Sequence, residues 1–177
     1  MQKNFFLATC HLTLRPICME DLTTVYAYTS DAEHVKYMKY YPDDSLDICR
    51  DFLCKSVKEW QKDSPRFYVF AVLLHGRHIG EVSVYAADEK FAVGELGWII
   101  HRDFCGNGYA QEAAQALLAF CRDNLQLNKV IGCCDSKNTA SARIMESLGM
   151  KLKEEGILRN YVKRNEVSFE QRYELLL

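Results

Sequence analysis

The sequence predicts a mixed α/β domain, of the α+β type, built around one sheet. Segments with strand patterns and segments with helical spacing follow one another in a definite order: one strand, two helices, three strands, a helix, a strand, a helix and two strands. No internal repeat or low-complexity linker interrupts the 177 residues. We therefore expect residues 1–177 to form a single domain with one sheet at its centre.

The first half of the chain begins with a strand and two helices. The segment HLTLRP alternates and stops at a proline, which predicts a first strand ending near Arg15. Helical patterns follow over 19–38 and 45–63, and Ser45 stands at the N-cap position of the second. The runs RFYVFAVLL, RHIGEVSVYA and VGELGWII are rich in β-branched and aromatic residues, and they predict three successive antiparallel strands.

The second half supplies two more helices and three more strands. A helix is predicted from Gly108 to about Cys121 because its apolar residues recur at helical spacing. KVIGCC predicts a short central strand. NTASARIMESLGM predicts a helix with Asn138 as N-cap and Gly149 in the left-handed position after its end. KLKEEGILRNYVKR and EVSFEQRYELLL predict the last two strands.

Charge and hydropathy argue against several classes of function. The net charge is −2, and no run of Lys or Arg exceeds two, so the basic stripe of a nucleic-acid-binding protein is missing. No apolar stretch approaches the ~20 residues that span a bilayer. The start, MQKNFFLATC, lacks the cleavage pattern of a signal peptide. We expect no nucleic-acid partner and no membrane association.

The eight cysteines form no C-x-x-C pair, and no His tract completes a zinc pattern. Several lie inside apolar runs such as LLAFC and VIGCC, which is typical of reduced thiols that pack as small apolar side chains. The sequence thus predicts a cytoplasmic protein without a metal site or a disulfide framework. We assign the adjacent Cys133 and Cys134 to the core rather than to a nucleophilic role.

The stretch HRDFCGNGYAQEA, between a strand and a helix, predicts an anion-binding loop. Gly106 and Gly108 let a ligand approach the backbone, and the following helix presents unpaired N–H groups and the positive end of its dipole. A pyrophosphate suits such a site, although an ordinary glycine-rich turn has the same pattern. The P-loop sequence G-K-S/T is absent. Gln111 replaces the small residue of the dinucleotide fingerprint, which leaves a dinucleotide-binding protein as a remote alternative.

Three segments carry a resemblance to a known family. ELGWIIHRDFCGNGYAQEA resembles the acetyl-CoA-binding motif of the GNAT N-acetyltransferases, Q/R-x-x-G-x-G/A, with Cys105 in place of the usual Gln or Arg. NTASARIMESLGM resembles the family's second motif, and LTLRPICMEDL its first strand and helix. The branch that these segments resemble most is the ribosomal-protein N-terminal acetyltransferases, the RimJ/RimL-like group, although the frequent Trp-x-Asp of the last strand is missing.

The resemblance implies the GNAT acyl-CoA N-acyltransferase fold, with a mostly antiparallel twisted sheet that is split at the fourth strand and flanked by four helices. It implies an enzyme that transfers the acetyl group of acetyl-CoA directly to a primary amine, which is a protein N-terminus or a small molecule. The pantetheine arm would lie along the strand from Gly94 to Ile100. The implied cofactor-binding residues are Ile99, Ile100, His101, Cys105, Gly106, Asn107, Gly108, Tyr109, Ala110 and Asn138.

The catalytic residues implied by the resemblance are Glu95 and Ser141. Glu95 would act as general base through water, with Glu81 as the competitor and a structural carboxylate as the alternative. Many members use a Tyr as the acid where this chain has Met145, so Ser141 is the replacement candidate, and local capping beside Asn138 explains its position equally well.

Several questions about the acceptor stay open in the sequence. The missing Tyr keeps a non-catalytic acyl-CoA sensor on the same fold as an alternative. The net charge of −2 favours a neutral-to-basic amine as acceptor. The tyrosines and Met38 of KYMKYYPDD are candidates for the acceptor entrance or for packing, and a homodimer is left open.

Overall fold

The computed structural model describes residues 5–40, 42–163 and 166–177. Its α-helices are α1 Leu22–Thr29, α2 Leu46–Trp60, α3 Tyr109–Asp123 and α4 Thr139–Ser147. Its strands are β1 Leu7–Ala8, β2 Leu12–Pro16, β3 Phe67–Leu74, β4 Arg77–Ala86, β5 Val93–Ile100, β6 Lys129–Asp135, β7 Lys151–Asn160 and β8 Val167–Leu176. They form one sheet in the order β1-β2-β3-β4-β5-β6-β8-β7. The mixed α/β fold predicted from the sequence is confirmed.

The sheet opens between β5 and β6, which are parallel neighbours in an otherwise antiparallel sheet. Their ladder has three pairs and ends at Glu95 and Ile131. β5 nevertheless stays paired with β4 as far as Ile100. Because β1 has only two residues, β5 is the fourth of the longer strands, and the predicted split at that strand is confirmed.

Apolar side chains cover both faces of the sheet. Along β3, Phe70 belongs to a core that includes α3 and α4. Its neighbours Val69 and Ala71 belong to a second core, with α1 and α2. Successive side chains of a strand point to opposite faces, so β3 is buried on both sides and reads as a nearly continuous apolar run. No helix among the described residues is long and apolar enough to cross a membrane.

The first predicted helix, over 19–38, is too long. A short 3-10 turn precedes α1, which ends at Thr29. The side chains of Thr29 and Ser30 donate back to the carbonyls of Val25 and Tyr26, at 2.9 and 2.6 Å. Asp43 N–H then donates to Thr29 O at 3.0 Å, so the chain turns instead of continuing as a helix.

The later predicted elements are confirmed in type, but the strand predicted over 151–164 ends at Asn160, and Arg164 lies outside the described residues. Asn138 caps α4, because its Oδ1 accepts from the backbone N–H of Ser141 at 3.2 Å. Gly149 has φ +81° after the end of that helix. Ser45 has an extended backbone at the start of α2, but its side chain makes no capping hydrogen bond.

Candidate active site

A cleft of about 920 Å³ lies where β5 and β6 separate. The residues predicted for the site that line it are Glu95, Ile99, Ile100, Cys105, Ala110, Asn138 and Ser141. All of them except Glu95, together with the rest of the loop 105–110, form what we call the loop half. The remaining walls include Tyr37, Met38, Lys39, Tyr40, Tyr85 and Arg159, which we call the hairpin half because Arg159 comes from the β7–β8 hairpin.

The loop from Cys105 to Ala110 forms an exposed arch whose two ends reach the cleft. Gly106 and Gly108 have φ +82° and +81°, a left-handed backbone conformation that residues other than glycine rarely adopt. Gly108 is the N-cap of α3, so the arch leads directly into the first N–H groups of that helix. Asn107 stabilises the arch from within, since its Nδ2 donates to the carbonyls of Phe104 and Cys105, both at 3.2 Å.

His101 lies outside the set of cleft-lining residues. Its backbone N–H donates to Ile79 O at 2.7 Å, which extends the pairing of β5 with β4. His101 lines a separate cavity of about 230 Å³ together with Arg77 and His78. A role for His101 in binding a cofactor stays a prediction.

His34 is a cleft residue that the sequence did not reveal. Its Nε2 lies 2.8 Å from Ile100 O, so this nitrogen carries the proton. Burial lowers the pKa of His34, which favours the neutral ring. The thiol of Cys105 also donates to Ile100 O, at 3.5 Å. The end of β5 is thereby tied both to the segment after α1 and to the glycine loop.

Two carboxylates on neighbouring strands line the cleft in different surroundings. Glu95 is exposed to the cleft, yet burial by the flanking protein raises its pKa, and Lys39 is the largest charge that opposes this rise. Glu81 is buried, and burial raises its pKa to about 7, although the Tyr28 hydroxyl donates to it at 2.9 Å. A carboxylate near neutral pKa can accept a proton at physiological pH.

The start of α4 brings Asn138 and Ser141 to the same cleft. The capping contact uses the backbone N–H of Ser141, not its hydroxyl, so capping does not occupy the hydroxyl. Met145, at the position where many family members have Tyr, is fully buried.

The assignment of both adjacent cysteines to the core is wrong for Cys133. Both line the cleft, but Cys134 is buried and packs in the core, whereas Cys133 is half-buried. Burial is the main cause that raises the pKa of Cys133 to about 12, with further contributions from Glu95 and Glu170. Burial also raises the pKa of Cys134 to about 11. Both groups are therefore neutral thiols at physiological pH, and a neutral thiol is a poor nucleophile.

A charged cluster closes the hairpin half, and nothing in the sequence pointed to it. Lys39 Nζ lies 2.7 Å from Glu170 Oε2, and Arg159 Nη1 donates to the same oxygen. Arg159 Nη2 donates to Tyr37 O at 2.9 Å. Burial alone would raise the pKa of Glu170, but Lys39 and Arg159 outweigh it and lower the pKa. Of the residues predicted for the acceptor entrance in KYMKYYPDD, Tyr37, Met38 and Tyr40 line the cleft beside Lys39, and Tyr41 lies outside the described residues.

The remaining predictions concern metals and thiols. Within the ranges that the structure describes, no group of three or more His, Cys, Asp or Glu side chains is placed to hold a metal ion. All eight cysteines are free thiols.

The split sheet, with a glycine loop and a helix N-terminus at the mouth of the split, is the architecture expected of an acyl-CoA N-acyltransferase. The family model described as "Acetyltransferase (GNAT) domain" matches residues 11–151. The chain belongs to the GNAT acetyltransferase family and is an enzyme of the acyltransferase class. The resemblance that the sequence motifs predicted is thus confirmed.

Relatives of similar length support this assignment. The uncharacterized N-acetyltransferase p20 of Bacillus licheniformis is 29% identical over 157 residues, which cover 89% of this chain and 87% of p20. The uncharacterized N-acetyltransferase YnaD of Bacillus subtilis strain 168 is 27% identical over 97% of this chain and 96% of its own. Similarity therefore extends over almost the whole chain.

Solved structures show the same fold. A GNAT-family acetyltransferase from Bacillus anthracis has a TM-score of 0.83 at 26% identity and covers 97% of this chain and 98% of its own. RimL, the ribosomal L7/L12 alpha-N-protein acetyltransferase, was solved with coenzyme A and has a TM-score of 0.86 at 13% identity over 98% of both chains. The spermidine N-acetyltransferase of Vibrio cholerae, solved with CoA and spermine, has a TM-score of 0.82 at 18% identity over 95% of this chain and 96% of its own.

Proposed function

We propose that this enzyme transfers the acetyl group of acetyl-CoA directly to a primary amine. The observation that carries the proposal is the cleft at the β5–β6 split, where Glu95 and the glycine loop meet in one cavity. In this proposal residues 1–177 form one cytoplasmic acetyltransferase domain. The acceptor is a protein N-terminus or a small amine, by analogy with RimL and the spermidine enzyme.

The loop half suits an extended acyl-CoA. Beyond Glu95 the ladder between β5 and β6 ends, so the backbone of β5 up to Ile100 can pair with the amides of a pantetheine arm. The arch 105–110 and the N-terminus of α3 would receive the pyrophosphate, because unpaired N–H groups and the positive end of the helix dipole favour anions. Asn138 would contact the arm or the amine from the opposite wall.

The chemistry needs a base, a stabilised oxyanion and a protonated leaving group. Glu95, through a water molecule, would accept a proton from the ammonium, and the free amine would then attack the thioester carbonyl. A backbone N–H near Ile99 would stabilise the oxyanion. The C–S bond then breaks, and the thiolate takes a proton from Ser141 or from solvent. The nitrogen loses its second proton, which restores that donor, so the products are the amide, CoA thiol and the one proton that Glu95 passes to solvent.

The state of the thiols supports transfer without an acetyl-enzyme intermediate. Cys133 is the half-buried cysteine in the cleft and therefore the candidate for an acetylated nucleophile. Its raised pKa keeps its thiol protonated. A Cys acceptor would need a lowered pKa or an adjacent base with a free path to the thioester.

The proposal is tested by measuring thiol release from acetyl-CoA across a panel of N-terminal peptides, polyamines, aminoglycosides and amino acids. Turnover with at least one amine and intersecting initial-rate lines are expected. Tight acetyl-CoA binding without turnover on any amine would instead support the acyl-CoA sensor. Parallel lines, or an acetyl group on Cys133 or Cys134 by intact-mass analysis, would contradict direct transfer.

A further inference from the structure

The charged cluster of the hairpin half contains two cations and one carboxylate. Lys39 and Arg159 both contact Oε2 of Glu170. Only 7% of the Arg159 side chain is exposed, and Arg159 also donates to Tyr37 O. Arg159 and Glu170 therefore stay paired, because separating a buried ion pair leaves two charges without compensation.

Lys39 is in a different position. Its side chain is 35% exposed, and it lines the cleft. If Lys39 turns away from Glu170, the carboxylate remains paired with Arg159, so the rearrangement uncovers no buried charge. Only the ammonium side of this contact is exposed, since the Glu170 side chain is 9% exposed, so the exchange depends on Arg159 keeping the carboxylate paired. Of the three residues in this cluster, Lys39 is thus the one that can leave its partner and bind a ligand.

Lys39 also acts on Glu95. Burial raises the pKa of Glu95, and Lys39 is the largest charge that opposes the rise, so the two groups lie within electrostatic range of each other in one cavity. A molecule with both an ammonium and a carboxylate would meet an opposite charge at each end. The neighbouring walls include Tyr37, Tyr40 and Phe52, which leave an apolar surface for the body of such a molecule.

We infer that the acceptor carries a carboxylate close to its reacting amine, and that Lys39 binds this carboxylate while Glu95 faces the amine. The acceptor class is an α-amino acid or a peptide with an acidic residue next to its N-terminus. This inference rests on the proposed function and restricts the neutral-to-basic acceptor that net charge favoured to one whose ammonium is accompanied by a carboxylate. In the bound state Lys39 exchanges Glu170 for the ligand carboxylate, and Arg159 keeps Glu170 paired.

The experiment compares acceptors that differ only in the carboxylate. One pair is phenylalanine and phenylalanine amide, and the other is a C-terminally amidated peptide beginning Ser-Asp and its Ser-Asn counterpart. The two pairs distinguish the free amino acid from the peptide as the source of the carboxylate. We expect the carboxylate-bearing member of at least one pair to have a kcat/KM about tenfold higher, as a charge-assisted hydrogen bond provides.

The variant Lys39→Gln should reduce the ratio of the two kcat/KM values within the preferred pair to less than about threefold, mainly through a higher KM for the carboxylate-bearing member. Lys39 also opposes the raised pKa of Glu95, and a rate change from that cause affects both members and cancels in the ratio. Lys36→Gln is the matched control, because Lys36 lies on the same segment, is 42% exposed and is not among the cleft-lining residues. Calorimetry with acetyl-CoA checks that Lys39→Gln is folded and retains its cofactor affinity.

Three outcomes overturn the inference: the wild type prefers the carboxylate-free member of both pairs, it turns over neither pair, or Lys39→Gln slows both members of the preferred pair alike. Each of these leaves the proposed function intact if spermidine or another amine still releases thiol. The absence of turnover with every amine would instead contradict the proposed function itself.

Discussion

The loop half and the hairpin half of the cleft are held together by different kinds of interaction. In the loop half, short segments make contacts within a few residues, such as the Asn107 bonds to Phe104 and the Asn138 cap on Ser141. In the hairpin half, the contacts join parts of the chain that are far apart. Arg159 bonds to Tyr37 across 122 residues, and Val162 N–H donates to Lys39 O at 2.9 Å.

This difference separates cofactor binding, in the loop half, from the choice of acceptor, in the hairpin half. Local hydrogen bonds and left-handed glycines fix the shape of the loop 105–110 and of the start of α4, while the bond from His34 ties the end of β5 to a distant segment. A locally fixed loop suits a constant ligand such as acyl-CoA. The hairpin half depends on ionic and polar contacts between distant segments, so substitutions on either segment can change its charge and shape without disturbing the loop. We expect changes in the hairpin half to affect stability and acceptor choice, and changes in the loop half to affect cofactor affinity.

The largest effect is expected for Glu170→Gln. The substitution removes the charge that compensates the buried Arg159, which should lower the free energy of unfolding by about 3 kcal/mol. Because the pKa of Glu170 is lowered in the folded protein, its contribution is present above the unfolded pKa and is lost as pH falls through the folded pKa. Urea denaturation at several pH values should therefore show the deficit at neutral pH and its loss in acid.

The control for this prediction is Glu174→Gln on the same strand. Glu174 lies 3.3 Å from Lys129 and is 23% exposed, and its loss should cost less than about 1 kcal/mol. Equal losses in the free energy of unfolding for the two variants would mean that the buried Arg159–Glu170 pair does not stabilise the hairpin half.

The next effect concerns Glu95, where the two halves meet. Glu95→Gln should lower kcat/KM for the amine about 100-fold, or about 2.7 kcal/mol, if Glu95 is the base. The base must be deprotonated, so wild-type kcat/KM should fall as pH drops through the raised pKa of Glu95, and the gap between enzyme and variant should narrow there. A pH–rate profile measures both effects.

Glu89→Gln, in the exposed turn between β4 and β5, is the matched control and should keep the wild-type profile. A nearly full rate for Glu95→Gln at all pH values would transfer the role to a water held by backbone carbonyls. If instead the fall of kcat/KM at low pH disappears in Glu81→Gln, the base is Glu81, whose pKa is about 7.

The smallest effect is expected in the loop half. Gly108→Glu places a carboxylate and a strained backbone where the pyrophosphate should bind, and should weaken acetyl-CoA binding tenfold or more, about 1.4 kcal/mol. Calorimetry on the folded variant measures the loss. Gly156→Glu is the control, since Gly156 has φ +77° in the exposed edge strand β7 and should leave the affinity unchanged. Similar affinities for the two variants would contradict the assignment of the loop.

The sequence by itself determined the elements whose signals are local. Apolar periodicity predicted α3, the glycines at 106 and 108 predicted the loop before it, and Asn138 predicted the cap of α4. These features depend on neighbours one to four residues away, so a pattern in the sequence records them. The order of the elements, together with the family motifs, was enough to predict the sheet and its split.

Only the tertiary structure decided the end of α1 and the chemistry of the hairpin half. The contact of Asp43 with Thr29, the exposure of Cys133 to the cleft and the sharing of Glu170 by Lys39 and Arg159 leave no periodic signal in the sequence. Burial and charge at these residues depend on which distant segments meet. The pKa values of Glu81, Glu95 and Cys133 follow from that meeting, because the cost of burying a charge is set by the surrounding atoms and not by the order of residues.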